Sequence, residues 1–245
     1  MNPVIVSELL RHPAGAAGRC LEQRALRALV TTCLATIVMC SAVFGATLGG
    51  QRGGLQILYS AIKVPAASLV TLILCVPAYY AFANAFCRAF SLRSVVALAL
   101  ASLARASLVL VAAAPVLWWV IDAGGGYHTV AVAAAVAYGL SGVAALGVML
   151  RALGRAGWAT AALFVALFGL VGGQTAWTLR PYMGRPSQGR VPFLRLPDGQ
   201  FAKHLYTSGR SSVGLYEEPE ALVRPDAKSV SRDQVESTPD REPVP

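Results

Sequence analysis

Ser60 and Lys63 stand three residues apart in the stretch LQILYSAIK. On a helix that spacing puts a hydroxyl and an amine on one face, the pairing of nucleophile and base used by serine–lysine acyl enzymes. The other partners such enzymes need have no recognisable counterpart, so acyl chemistry is the minor reading of this pair. Arg105 is the sharpest isolated charge, set within the apolar run Leu92–Ile121. At mid-bilayer an arginine costs roughly 2.5–3.5 kcal/mol on insertion scales, which makes it a functional candidate by default. A lipid phosphate, backbone carbonyls or an anionic substrate would have to satisfy it, since no acid stands near it in the apolar run. Snorkelling toward the headgroups is the plainer reading. Gln174 and Arg180 end the last apolar segment in GGQTAWTLRPYMGRP. A glutamine at that depth normally bonds a neighbouring helix, and Arg180 meets the headgroups.

Other chemistries are excluded by what is missing. Between Glu22 and Asp198 the only acid is Asp122, so paired-carboxylate catalysis has no material there. Cys20, Cys33, Cys40, Cys75 and Cys87 form no C-x-x-C pair and have no histidine or acid beside them. Cys33, Cys40 and Cys75 fall inside apolar runs and read as small hydrophobes, and neither a metal site nor a disulfide framework is expected of the five. There is no phosphate-binding glycine loop, dinucleotide fingerprint or zinc motif, so no catalytic residue and no cofactor is expected.

These residues sit in an unusual composition. Of 245 residues, 56% are hydrophobic and only 13% charged, about half the charged share of a soluble domain. The fold class expected is an all-α integral membrane protein, a bundle of about five transmembrane helices. Ala28–Leu48, Val64–Phe86, Thr129–Leu150 and Trp158–Leu179 carry no charge at all, and Leu92–Ile121 carries two arginines. Each is long enough to cross a hydrocarbon core that needs about 20 apolar residues. Residues 1–27 form an N-terminal segment, 28–181 the membrane domain and 182–216 a membrane-proximal tail. Residues 217–245 hold eight acids against four basic residues among Pro and Ser, a composition expected to stay disordered.

The formal net charge is +9, and with the tail at −4 the remainder carries +13. Because the arginines flank apolar segments, they read as topology signals and lipid anchors, and nucleic acid is not an expected partner. Arg11, Arg19, Arg24 and Arg27 precede the first span, which places the N-terminus in the cytoplasm and, after five crossings, the C-terminus on the opposite side. The arginine- and alanine-rich usage points to a bacterial inner membrane.

Within the spans, Pro77 and Pro115 free the carbonyls of Ile73 and Val111, as broken transporter helices do and as simple kinks do more often. In Leu55–Lys63, Leu55, Leu58, Tyr59 and Ile62 share one face, and Gln56, Ser60 and Lys63 the other. The segment is either an interfacial helix ahead of Pro65 or the opening turns of the second span. Small residues recur four apart at Gly45 and Gly49, Ala135 and Gly139, and Gly169 and Gly173, allowing close approach within the chain or between partners.

The opening VSELLRHPAGAAGRC, together with VVALALASLARASLVLVAAAP and a five-span plan, resembles the Yip family of five-span membrane proteins over residues 5–180. LYSAIKVP, VTLILCVPAYY, AWTLRPYMGRP and the downstream PFLR are similar to an uncharacterised group of bacterial polytopic membrane proteins. The Asp-Leu-Tyr-Gly-Pro motif of eukaryotic Yip members is absent, so the resemblance implies the fold and no trafficking role. The expected function is therefore non-enzymatic: an organising or accessory subunit that binds another membrane protein or lipid. A transporter or channel for a small anionic solute is the alternative.

Overall fold

The computed structural model describes residues 2–86, 90–154, 157–179 and Tyr182. Among these there are seven helices and no strand: α1 (Pro3–Arg11), α2 (Pro13–Leu21), α3 (Leu26–Gly50), α4 (Leu55–Phe86), α5 (Leu92–Asp122), α6 (Tyr127–Leu153) and α7 (Trp158–Thr178). The last five are each long and apolar enough to span a bilayer. The chain is a multi-pass integral membrane protein, and the all-helical plan matches the expectation. Arg180 and the tail from residue 183 onward, including the membrane-proximal and disordered segments expected there, lie outside the described residues.

The five spans form a closed ring in the order α3, α4, α7, α6, α5. The α3–α4 turn runs through Gly53 and Gly54 at φ +81° and +62°, the left-handed region that glycine enters at least cost. Along the spans, hydroxyl side chains return their hydrogen bonds to the preceding turn. Thr36 donates to the Thr32 carbonyl and Thr71 to that of Ala67, so neither of these buried hydroxyls leaves its donor unpaired in hydrocarbon.

Helix α5 is the hub and α7 the least buried span. From Ser94 to Ser107 nearly every α5 side chain is enclosed, including Val95, Leu98, Ala101 and Ala104. That run is small and apolar, which lets α3 and α6 approach from two sides while α1 and α2 cover the Leu92 end. At about 1.5 Å per residue the 31 residues of α5 extend about 46 Å, well beyond a ~30 Å core. The excess at the Leu92 end is wrapped in protein.

That wrapping is the main departure from the sequence reading, which assigned no helix to residues 1–27. Asn2 caps α1 by accepting from the Val4 amide, and proline opens each short helix. Ile5 and Leu9, one turn apart, turn into the core with Ala16, Ala17 and Cys20. Arg19 closes the pair with an ion pair to Glu8 at 2.6 Å. Gln23 and Ala25 adopt positive φ in the tight link to α3, and Gln23 bonds Ser91 and Ser94 at the start of α5.

Candidate functional site

Three places hold the polar residues singled out above. The first is the seam between α3 and α4. Helix α4 runs unbroken from Leu55 through Pro65 and Pro77, so Leu55–Lys63 is the opening of the second span and not a separate interfacial helix. Its amphipathic faces are arranged as a membrane requires. Leu55, Leu58 and Ile62 face outward, while Gln56, Ser60 and Lys63 are buried. Gln56 donates through Nε2 to the Tyr182 carbonyl at 2.9 Å, and the Ser60 hydroxyl donates to the same oxygen. The Lys63 ammonium lies 6.0 Å from the Tyr182 ring centroid. The polar face of α4 thus clasps the chain where it leaves α7. The one Ser60 proton is directed at the Tyr182 carbonyl in this arrangement.

The glycines opposite explain how α4 comes close enough. A Cβ at Gly45 would collide with the Ser60 carbonyl oxygen, and one at Gly49 would stand 2.5 Å from the Gln56 carbonyl oxygen and 2.6 Å from the Ile57 Cα. The Gly45/Gly49 face is therefore filled within the chain. Sequence reasoning found Gln56, Ser60 and Lys63 on one face but not their partner. The period that matches QxxxSxxK to GxxxG across a short turn was the available signal.

The second place is the α5–α6 seam. Arg105 is half-buried and its guanidinium lies against Gly147 of α6, whose Cβ, if present, would be 3.1 Å from Nη1. Nη1 is sealed from solvent and has no hydrogen bond. Arg151, one turn beyond Gly147, is near enough for its charge to bear on Arg105. No described carboxylate answers either charge: Glu8 pairs with Arg19, Glu22 with Arg24, and Asp122 ends α5 far from Arg105.

The third is the outer face of α7. Leu163, Ala166, Leu170, Gln174 and Thr178 are all exposed, at the three- and four-residue steps of one helical stripe, and Gly169 is exposed at its edge, three residues beyond Ala166. Nothing lies within 4 Å of where a Gly169 Cβ would be, whereas Gly172 on the inner face meets Thr71 of α4 at 3.4 Å. Gln174 points away from the bundle, so the neighbouring helix it was expected to bond is not one of this chain's described spans. Gly139 on α6 is likewise open. The structure does not bring Lys63, Arg105 and Gln174 together. They serve three separate surfaces.

Pro77 and Pro115 are both exposed on the outside of their helices, and Ile73, whose carbonyl Pro77 frees, is 70% exposed. A groove of about 550 Å³ lies at the α1–α2 end of the bundle, lined by Gly18, Leu21, Glu22, Gln23, Phe90, Ser91 and Ser94. No group of His, Cys, Asp and Glu among the described residues could hold a metal ion. Comparison of the chain with protein-family models, with curated proteins and with solved structures gave no match.

Proposed function

We propose that the chain is a non-enzymatic accessory or organising subunit, held in a bacterial inner membrane with its N-terminus in the cytoplasm, that docks a helix of another membrane protein on the outer face of α7. The observation that carries this reading is Gln174. Its side chain faces outward from the least buried span, in line with the exposed Ala166 and Leu170, and the open Gly169, one step from Ala166, borders the same exposed half of the helix. A small residue that admits a backbone and an amide that can bond across the contact are what helix association in lipid uses. The interior polar groups of α4, by contrast, are engaged in holding the chain to itself. The five-span plan is also the one that the Yip resemblance implies, and the arginines at the α1–α2 end support the orientation.

The test is copurification. A tagged full-length chain, extracted gently from native membranes, is expected to bring down a stoichiometric membrane protein. Gly169→Leu fills the docking notch without touching this chain's own core, and Gln174→Leu removes a bond worth about 1 kcal/mol. Both are expected to release the partner while leaving expression intact. A homogeneous particle without a partner, or a partner retained by both variants, sinks the proposal.

A further inference from the structure

We propose that Arg105 and Arg151 form a seat for a phosphate group at the α5–α6 seam, presented from the leaflet on the α1–α2 side. Depth is the first argument. Trp118 and Trp119 are exposed near the far end of α5, where aromatic side chains mark the interface. From Trp119 back to Arg105 is about 21 Å of helix, which leaves about 9 Å of a ~30 Å hydrocarbon core before the opposite interface. The Arg105 backbone is inside the bilayer, and its guanidinium, leaning along the seam, lies close under the headgroups of that side.

The second argument is charge. Two arginines share this seam, and no described carboxylate balances them. Arg105 is half-buried in this apolar seam with Arg151 exposed at its end; a charge left uncompensated there is costly, and an anion from beyond the described residues removes the cost. The third is shape. Gly147 leaves room for the guanidinium against α6, where a Cβ would stand 3.1 Å from Nη1, 3.5 Å from Cζ and 3.8 Å from Nη2; Nη1 is sealed there, while Arg105 as a whole is only half-buried. A planar fork held in this way suits two-point binding of phosphate oxygens, with Arg151 as the second charge. An anionic phospholipid headgroup and free phosphate present the same chemistry to it.

The seat rests on the membrane assignment of the spans and not on the α7 partner, so it is tested on purified full-length protein without one. The protein is placed in nanodiscs of equal phosphatidylcholine and phosphatidylglycerol, released into mild detergent, and its retained lipid identified by mass spectrometry. Wild type is expected to retain phosphatidylglycerol about tenfold over phosphatidylcholine. Arg105→Gln is expected to lose that preference, and Arg105→Lys to keep part of it, since the charge remains without the fork. Arg151→Gln weakens it, Gly147→Ala displaces the guanidinium and weakens it, and Arg11→Gln on the exposed face of α1 leaves it intact. Inorganic phosphate titrated against the retained lipid separates the sources. Displacement means that free phosphate fills the seat, and resistance means that the headgroup does; both support a phosphate seat. Equal retention of the two lipids by wild type, or a wild-type preference in both Arg105 variants, overturns it.

Discussion

The Gly45/Gly49 seam makes the most quantitative prediction. In Gly49→Ala the new methyl would sit 2.5 Å from the Gln56 carbonyl oxygen and 2.6 Å from the Ile57 Cα. Both obstacles are backbone, so neither can swing aside, and α3 and α4 must part by about 1 Å to restore van der Waals contact. Overpacking of this kind costs about 1–3 kcal/mol. Parting the helices also loosens the Gln56 and Ser60 bonds to Tyr182, each worth about 0.6–1 kcal/mol in a membrane setting. Against this, alanine stabilises a helix over glycine by about 0.5–1 kcal/mol. The net expectation is a loss of about 1–3 kcal/mol. The assay is unfolding of purified protein in mixed micelles titrated with dodecyl sulfate, followed by circular dichroism. Gly139→Ala is the control. It makes the same chemical change in a span, but nothing lies within 4 Å of the new atom, so it should be neutral or slightly stabilising. Gly45→Ala should behave like Gly49→Ala, and the double variant should cost less than the sum, because both act on one seam. Equal midpoints for Gly49→Ala and Gly139→Ala would refute the packing argument.

Two further predictions concern the tail clasp and the N-terminal hairpin. Ser60→Ala and Gln56→Leu should each weaken the hold on Tyr182, so that limited proteolysis releases residues beyond it several times faster with the bundle intact; unchanged cleavage in both would remove the clasp. Burial, assisted by Cys33 and Glu8, pushes the Cys20 thiol from 9.0 up to about 12. A variant with Cys20 as its only cysteine should therefore resist maleimide at neutral pH until unfolded. Because the folded value is the higher one, the stability this thiol contributes is present below pH 9 and is lost between pH 9 and about 12. Rapid labelling of the folded protein would show that α2 does not cover Cys20.

Five spans are legible because four of them carry no charge and the fifth only two arginines, a pattern that few soluble structures produce. What the pattern obscured was the start of α4. Gln56, Ser60 and Lys63 lower the apolar content of residues 55–63, so the run looks membrane-length only from Val64. In the structure those three side chains face inward, and the helix begins at Leu55. Residues 1–27 were obscured for a related reason. Each helix there is a nine-residue piece opened by proline, too short to register as a span or to stand alone. Its local signs were present all the same: the Asn2 cap, Pro3 and Pro13 at first helical positions, and Ile5 and Leu9 one turn apart.

The candidate residues divide along the same line. Gln56 and Gln174 are the same amide near the same end of the bundle, yet one is inside and the other outside. No local rule separates them. Gln56 faces inward because Gly45 and Gly49, four apart on α3, leave a channel that only the polar side of α4 meets, and the returning chain supplies a carbonyl at the correct height. Gln174 faces outward because α7 turns Thr160, Ala161 and Phe164 inward and has no buried residue beyond Phe164. Arg105 lies between these cases. Its charge was plain in the sequence, but the glycine under its guanidinium and the second arginine beside it come from α6, more than 40 residues away, and only the register of α5 against α6 places them together. In a bilayer a polar side chain that faces inward is accounted for by the fold. Gln174 and Arg105 lack such an account among the described residues, which is why they, and not Gln56, are the places to look for what this protein binds.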